Sequence, residues 1–265
     1  MLIFVNHDDM RSLELMDELI KRGYYVSDQV NDLRYADVLY LGLKGVDNKN
    51  RLMTHQETRI LDSKTFKELK KGCLVITLLE NQYLKNMSIE YHFRYISLLA
   101  QEDFLIKNSI LTGEGLMSYL ISHRRNPLYQ SRIMILGYGH CAKPIIEYLK
   151  AFHSDIIVGI RNLKYQEEIE RMGVQCIDIH DIDLSDVDIL INTVPSVVVE
   201  KEQLDKANKR IMIVDIASYP YGINHHYALS LGLNSIILPS IPCKYAYGYA
   251  GKLVADVIER ELENA

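Results

Sequence analysis

The feature that most constrains the fold is a glycine-containing stretch near the middle of the chain. An apolar run at Ile133–Leu136 is typical of a buried parallel strand, and apolar residues at helical spacing follow over Ala142–Leu149. Between them, Gly137, Gly139 and Ala142 form the pattern Gly-x-Gly-x-x-Ala. In a strand-turn-helix context this pattern predicts a dinucleotide site. Small residues there allow the tight turn, the approach of a pyrophosphate and close helix packing.

The positive end of the helix would hold the pyrophosphate through its free N–H groups. The predicted cofactor-binding residues of this turn are Gly137, Tyr138, Gly139, His140 and Cys141. The alternative is a tight strand-to-helix turn that binds no ligand.

Composition narrows the class of protein. The chain has 265 residues, of which 48% are hydrophobic and 25% charged, which suits one large or two small globular domains. A net charge of −5 gives no support for binding to nucleic acid or to a membrane. The 4 cysteines are widely spaced, and the apolar N-terminal run is too short for a signal peptide. We therefore expect a cytoplasmic protein with reduced thiols.

Strand and helix patterns alternate along the chain, which predicts an α/β fold with two doubly wound parallel-sheet domains and a cleft between them. We predict an N-terminal α/β substrate domain over residues 1–122, of flavodoxin-like or Rossmann-like type. A Rossmann NAD(P)-binding domain is predicted over residues 123–265, with a polar connection at residues 123–127. The first strand is followed by Asn6, His7 and Asp8 rather than by glycines, so the first domain is not expected to hold the cofactor.

Three local predictions concern the first half. Residues 44–58 are predicted to form a polar loop. The spacing of apolar residues over 89–99 predicts a helix. Residues 108–116 are expected to precede another helix, which runs to about residue 122.

The turns after the fourth, fifth and sixth strands of the second domain are predicted to line the nicotinamide side of the cofactor, because ligands bind beyond the carboxyl ends of parallel strands. The alternative is that proline and glycine simply punctuate these loops. The predicted cofactor-binding residues of these turns are Asn192, Thr193, Val194, Pro195, Ala217, Ser218 and Pro239.

The end of the second strand of this domain bears on the identity of the cofactor. NAD is usually held there by Asp or Glu, whereas this chain has Arg161 and Asn162, with Lys164 nearby. An arginine at this position suits a 2′-phosphate, so we predict that NADP binds more tightly than NAD. The alternative is a solvated surface arginine.

Other candidate residues are predicted from their surroundings. Glu114 is a candidate for acid–base chemistry, and its alternative is a carboxylate at a helix start. Lys244 is a candidate partner for a substrate carboxylate or an exposed loop lysine. His225-His226 lacks a third ligand at metal spacing and is expected to cap or flank a helix. The turn at His7-Asp8-Asp9 is expected to be solvated, and its alternative is a hydrogen bond to a ligand. No metal site is predicted.

An ordered set of motifs resembles the family formed by the A subunits of dipicolinate synthase, a relative of the D-2-hydroxyacid dehydrogenases. The resemblance covers nearly the whole chain. The motifs that carry it are Asp9-Met-Arg-Ser-Leu-Glu14, Asn108-Ser-Ile-Leu-Thr-Gly-Glu-Gly115, Gly137-Tyr-Gly139, Gly159-Ile-Arg161, Ile191-Asn-Thr-Val-Pro-Ser196, Val214-Asp-Ile-Ala-Ser218, Pro239-Ser-Ile-Pro242 and Tyr249-Ala-Gly251.

The resemblance implies an NAD(P)-dependent oxidoreductase that oxidises a dihydrodipicolinate-type precursor to dipicolinate during sporulation. It also implies that the partner is a flavoprotein-like B subunit and that the substrate is a small dicarboxylic acid, and we expect a homo-oligomer. By matching position, it implies catalytic roles for Glu114, Lys244 and Ser218 and substrate contacts for Asp9, Arg11 and Thr112.

The chain departs from the family pattern at the glycine turn. Gly139-His-Cys-Ala142 stands where the family has Gly-Arg-Thr-Gly, so bulkier residues lie where backbone would approach the ligand. Two alternatives therefore stay open. One is an NAD(P)-dependent oxidoreductase that acts on another small carboxylic acid, and the other is a non-catalytic nucleotide-binding subunit.

Overall fold

The computed structural model describes residues 1–7, 9–124 and 126–264. The chain divides into two compact units. The first combines Met1–Asn108 with Pro242–Ala265, and the second is Ser109–Ile241. Each unit is built on its own parallel sheet, so the predicted α/β class with two doubly wound domains is confirmed.

The first unit contains seven of the described strands. They are β1 (Leu2–Val5), β2 (Tyr25–Ser27), β3 (Val38–Tyr40), β4 (Arg51–Met53), β5 (Thr58–Ile60), β6 (Leu74–Thr77) and β7 (Arg94–Ser97). The helices of this part of the chain are α1 (Met10–Lys21), α2 (Ser63–Glu68), α3 (Gln82–Tyr91) and α4 (Glu102–His123). The parallel sheet has the order β2-β1-β3-β6-β7, and β4 and β5 form a separate antiparallel hairpin. This strand order is that of flavodoxin-like folds.

Two local predictions for this unit are wrong. The predicted loop at residues 44–58 contains β4 and the start of β5. The predicted helix at residues 89–99 is the end of α3 followed by β7. His92 ends α3 because it takes a left-handed backbone conformation, with φ of 57°. Phe93 is then buried against Phe66, with ring centroids 5.5 Å apart.

The second unit contains β8 (Arg132–Leu136), α5 (Ala142–Ala151), β9 (Asp155–Ile160), α6 (Gln166–Arg171), β10 (Gln175–Asp178), β11 (Ile189–Asn192), α7 (Lys201–Asp205), β12 (Met212–Asp215), α8 (His225–Ser230) and β13 (Asn234–Ile237). Its sheet is parallel throughout, with the order β10-β9-β8-β11-β12-β13. This is the strand order of the dinucleotide-binding Rossmann fold. Its strands read as continuous apolar runs because both faces of the sheet are covered.

The two remaining helices are α9 (Ile241–Tyr245) and α10 (Tyr249–Glu263). Helix α10 packs against α1, and Gly251 makes the close approach possible. Its N–H donates to Glu14 Oε2 at 3.0 Å, and a Cβ at position 251 would lie 2.4 Å from the Leu15 nitrogen. Arg22 on the α1 side also bonds Asp256 and Glu259 of α10, at 2.7 and 2.6 Å.

These contacts place the last helix in the first unit, whereas the sequence predicted units of 1–122 and 123–265. The other boundary falls at residues 108–109, inside α4. The predicted connection at residues 123–127 includes Arg125, which lies outside the described residues.

Helix α4 begins at Glu102, so the prediction that residues 108–116 precede a helix is wrong. Glu102 and Asp103 in the first turn suit the positive end of the helix. Position 113 of this helix requires glycine, because a Cβ there would lie 2.8 Å from Cε2 of Tyr148. Across residues 1–7, 9–124 and 126–264, none of the helices combines the length and apolar character needed to cross a lipid bilayer.

Candidate dinucleotide site

The turn after β8 has a geometry that only glycine fits at its first position. Gly137 has φ of 97°, and its N–H donates to the Gly159 carbonyl at 2.8 Å. A Cβ at this position would lie 2.5 Å from Thr193 Oγ1. The Thr193 hydroxyl itself donates to the Leu136 carbonyl at 2.8 Å. Thr193, a predicted cofactor-binding residue directly after strand β11, therefore packs against the turn and helps to fix its conformation.

The second glycine of the turn borders open space. No heavy atom lies within 4 Å of a Cβ built on Gly139, among the described residues. Ala142, the third residue of the pattern, is fully buried at the start of α5. Cys141 precedes that helix and makes no side-chain capping bond. The backbone at this helix start is therefore open to an anion, as the pyrophosphate prediction requires.

The Cys141 thiol does not oppose an anionic ligand. Burial raises its pKa, and a contact of 3.7 Å with Ser109 Oγ only partly offsets that effect. The thiol thus stays neutral at neutral pH. His140, the other bulky residue of the predicted loop, is exposed.

Tyr138 lies on the outer side of the turn and is held by α6. Its hydroxyl donates to Glu168 Oε1 at 2.7 Å, and Lys143 Nζ lies 4.8 Å from the centre of its ring. Burial, followed by the neighbouring Glu168 carboxylate, raises the pKa of Tyr138. Lys143 also pairs with Glu168 at 3.3 Å. This cluster positions a cation next to the glycine turn.

Arg161 follows β9 directly, as the sequence predicts, and is exposed. It borders an open pocket of about 280 Å³. The guanidinium donates from Nη2 to Ser196 Oγ, which uses one of its five N–H donors. Asn162 accepts from the Lys164 N–H at 3.2 Å and so caps the short 3₁₀ segment that follows. The other residues that line the pocket are Ile179, His180, Val197, Val198, Glu200, Glu202 and Gln203.

The pocket has an apolar wall and a basic edge. Ile179, Val197 and Val198 supply apolar surface that a flat aromatic base could contact. The two carboxylates at its rim have other partners, since Glu200 caps α7 and Glu202 pairs with Lys206 at 3.0 Å. A pocket beside the end of the second strand is where the adenosine half of a dinucleotide binds in this fold.

A buried polar network lies at the carboxyl ends of β11 and β12. Asp215 is fully buried and accepts from the Gly222 N–H at 2.8 Å and the Ala217 N–H at 3.0 Å. Asn192 donates to Asp215 Oδ1 at 2.8 Å and to the Val194 carbonyl at 3.0 Å, so both of its amide hydrogens are bonded. Asn192 therefore fixes the loop that follows β11.

His225 extends this network to β13. Its Nε2 lies 3.2 Å from Asp215 Oδ2, and its Nδ1 lies 2.8 Å from Ser235 Oγ. The sequence singled out His225 only as a weak metal candidate and gave no role to Ser235 or Asp215. These three residues come from separate segments, so only the order of the strands could have suggested that they meet.

The remaining predicted residues of these turns differ in exposure. Ser218, Pro195 and Pro239 are exposed, Val194 is half-buried, and Ala217 is buried with its N–H bonded to Asp215. The exposed residues lie after three adjacent strands, β11, β12 and β13, at the edge of the sheet where ligands bind in such folds.

The predicted acid–base and substrate residues are divided between the units. Glu114 is exposed in the middle of α4, and the Tyr148 hydroxyl lies 3.5 Å from its Oε1. The alternative reading of Glu114 as a helix-start carboxylate is wrong, because α4 begins twelve residues earlier at Glu102. Thr112 is buried in the same helix. Lys244 is exposed on α9 and belongs to the first unit.

Two predicted substrate residues lie at the start of α1 in the first unit. Asp9 caps the helix and accepts from the Ser12 N–H at 2.8 Å and the Ser12 hydroxyl at 2.9 Å. Arg11 is only 3% exposed, and its Nη2 donates to Asn108 Oδ1 at 3.1 Å. Its Nε and Nη1 are buried without an oxygen or nitrogen acceptor among the described residues. The guanidinium also forms a hydrogen bond with the Cys243 thiol. A buried guanidinium whose remaining donors lack an oxygen or nitrogen acceptor among the described residues is suited to a carboxylate ligand.

The strand order and the glycine turn define the second unit as a dinucleotide-binding unit of the Rossmann type. A family model described as shikimate/quinate 5-dehydrogenase matches residues 119–229, which include the glycine turn, Arg161 and Asp215. This match to a dehydrogenase family supports the prediction of an oxidoreductase.

The resemblance to the A subunit of dipicolinate synthase is confirmed. The chain is 29% identical to that protein from Bacillus subtilis over 194 residues, which are 72% of this chain and 65% of the relative. The aligned part thus spans less than two thirds of the relative's length. The crystal structure of the Bacillus subtilis protein superimposes with a TM-score of 0.85 at 24% identity, covering 100% of this chain and 96% of that one.

The fold is also similar to that of D-2-hydroxyacid dehydrogenases, to which the sequence resemblance pointed. The apo-structure of D-lactate dehydrogenase from Escherichia coli has a TM-score of 0.62 at 10% identity, covering 99% of this chain and 98% of that one. At that identity the likeness concerns the fold alone.

Proposed function

We propose that this protein is an NADP-dependent oxidoreductase that oxidises a dihydrodipicolinate-type precursor to dipicolinate. The observation that carries the proposal is the combination of an open Gly139 turn with Arg161 at the end of the second strand. The first feature suits a pyrophosphate, and the second suits a 2′-phosphate.

Residues of the second unit would hold the cofactor. The N–H groups at the start of α5 would hold the pyrophosphate, and the guanidinium of Arg161, which borders the pocket with the apolar wall, would hold the 2′-phosphate. The turns at Val194, Ser218 and Pro239 would contact the nicotinamide half. When bound, oxidised NADP supplies a hydride acceptor.

The substrate assignment depends on positively charged side chains that could pair with carboxylates. A dicarboxylic acid needs cationic partners, and Arg11 offers a buried guanidinium with two nitrogens that lack an oxygen or nitrogen acceptor among the described residues. Lys244, which is exposed, is a second candidate partner for a carboxylate. Oxidation of the dihydro ring would require a base to take a proton, for which Glu114 is the candidate, while the bound cofactor would supply the hydride acceptor. Loss of the proton and the hydride gives the aromatic pyridine ring, which makes the oxidation favourable.

The similarity to one component of a two-component synthase supports a second inference. We infer that the chain works with a flavoprotein-like B subunit, in the cytoplasm of a sporulating cell, and as a homo-oligomer. We also propose that three further residues contact or position the substrate, namely Asp9, Thr112 and Ser218.

Titration with NADP and NAD tests the cofactor assignment. We expect NADP to bind more tightly than NAD in the wild-type protein. Arg161→Gln should weaken NADP binding by about tenfold to a hundredfold and leave NAD binding nearly unchanged, because only NADP carries the phosphate. Isothermal titration calorimetry measures both affinities.

Arg171→Gln is the matched control, since Arg171 is an exposed arginine on α6 that pairs only with Glu167 in the described structure. It should leave both affinities unchanged. Equal affinities for the two cofactors, or tighter binding of NAD, would contradict the assignment to NADP.

Turnover of dihydrodipicolinate, alone and with a B subunit, tests the substrate. Formation of NADPH together with dipicolinate supports the proposal. Tight NADP binding with no turnover in either condition contradicts it. Turnover of a different small carboxylic acid would then favour the alternative that the altered turn at His140 and Cys141 suggests.

A further inference from the structure

Three potential metal ligands converge at the carboxyl end of the first unit's sheet. His7 follows β1, Asp28 follows β2, and His55 lies in the turn of the β4–β5 hairpin. Strands β1 and β2 are neighbours in the sheet, which brings the first two residues to the same edge. The hairpin, which the sequence predicted as a loop, carries the third residue to that edge.

The ligand atoms of the three side chains are close to a coordinating arrangement. One ligand atom from each residue lies within 4.8 Å of the other two. His55 Nε2 and Asp28 Oδ2 are already 3.4 Å apart. Two ligands on a tetrahedral zinc ion, at bond lengths near 2.0 Å, are separated by roughly 3.3 Å. The spacing of this pair already matches, and the ligand atom of His7 lies within 4.8 Å of both.

The side chains are also oriented and accessible. The rings of His7 and His55 have centroids 4.9 Å apart and are tilted by 49°. The second oxygen of Asp28 accepts from Gln29 Nε2 at 2.8 Å, which holds the carboxylate in place. His7 makes no hydrogen bond to another residue of the described chain, so its imidazole is available. His55 and Asp28 are 38% and 23% exposed, which leaves a path for an ion.

We propose that His7, Asp28 and His55 bind one divalent transition-metal ion of the zinc class. Two imidazoles and one carboxylate form a ligand set that zinc and similar first-row metals prefer, whereas magnesium and calcium prefer oxygen ligands alone. Three protein ligands leave a coordination position for water or a ligand carboxylate. The sequence predicted no metal site, because the three residues are separated by 21 and 27 positions.

Zinc binding to the full-length protein, stripped of metal by a chelator, tests the proposal. Titration calorimetry should show uptake at this site, and cobalt substitution should give the visible absorption of a tetrahedral ion. His55→Gln and Asp28→Asn should each weaken zinc binding by at least about tenfold, because each removes one of three ligands. Zinc should also raise the thermal unfolding midpoint of the wild type but not of the variants.

His226→Gln is the control, since His226 is an exposed histidine on α8 in the other unit. It should bind zinc like the wild type. Far-UV circular dichroism of the metal-free variants verifies that they fold. No zinc uptake by the wild type, or equal loss of affinity in His226→Gln and in the two ligand variants, would overturn the proposal. NADP binding should be the same in all of these variants, so this outcome is independent of the proposed function.

Discussion

The two units differ in the residues that form the turn between the first strand and the first helix. In each unit a buried parallel strand ends and the chain turns into a helix, after β1 in the first and after β8 in the second. The second unit uses Gly137 and Gly139, which leave space at the turn. The first unit fills the equivalent turn with polar side chains, including Asn6, His7 and Asp9.

The difference indicates that the turn after the first strand, rather than the sheet, determines which ligands each unit is suited to bind. Asn6 is 2% exposed, and its side chain donates to the Met53 carbonyl at 3.1 Å, so it fixes the nearby hairpin. Asp9 caps α1 with its carboxylate. A pyrophosphate would meet these acceptors instead of free N–H groups. We therefore propose that similar sheets carry an anion site in the second unit and a metal site in the first.

The largest expected effect on stability is at the glycine that the second turn requires. Gly137→Ala should lower the free energy of unfolding by about 3 kcal/mol, because the new Cβ is both strained at positive φ and within 2.5 Å of Thr193 Oγ1. Chemical denaturation measures the change.

Gly173→Ala separates the two causes. Gly173 also has positive φ, of 75°, but a Cβ there meets no heavy atom within 4 Å among the described residues. It should cost only about 1 kcal/mol. An equal loss in the two variants would show that crowding by Thr193 contributes nothing.

A smaller effect is expected in the turn of the first unit. Asp9→Ala should destabilise the protein by about 1 kcal/mol through loss of the helix cap. Asp62 is a matched control, because it caps α2 with bonds to the Thr65 N–H at 3.0 Å and the Thr65 hydroxyl at 3.1 Å. Asp62→Ala should give a similar loss, measured by chemical denaturation. If only Asp9→Ala abolishes turnover, Asp9 has a role beyond capping, and equal turnover in the two variants would remove it from the site.

The smallest effect on stability is expected at the second glycine of the dinucleotide turn. Gly139→Val should change the free energy of unfolding by less than about 0.5 kcal/mol, because its side chain enters open space. The same side chain would occupy the position of the pyrophosphate, so NADP affinity should fall at least about tenfold. Unchanged affinity in calorimetry would place the cofactor elsewhere.

Features encoded by neighbouring residues could be predicted from the sequence. The run from Ile133 to Leu136, the glycines after it and the helix at Ala142 all lie within one short stretch, and each appears where it was expected. Arg161 could be placed at the end of β9 for the same reason. Continuous apolar runs and glycine spacing are local signals that tertiary contacts rarely override.

Features that depend on distant contacts could not be predicted. The Asp215 network joins residues from three strands and a helix. The cluster of His7, Asp28 and His55 joins residues from three turns. Residues 94–97 form a strand because they pair with β6, although their apolar spacing also fits a helix. The place of α10 depends on its packing against α1, which no local pattern reveals.

The contact of Gly251 with Glu14 has a consequence for synthesis of the chain. The two residues are 237 positions apart. Helix α10 can therefore pack on α1 only after nearly the whole described sequence has left the ribosome. The second unit is continuous in sequence and can complete its fold before that moment. The first unit is therefore completed after the second. Until α10 is synthesised, the α1 surface that it covers stays exposed on the nascent chain, where it can promote aggregation.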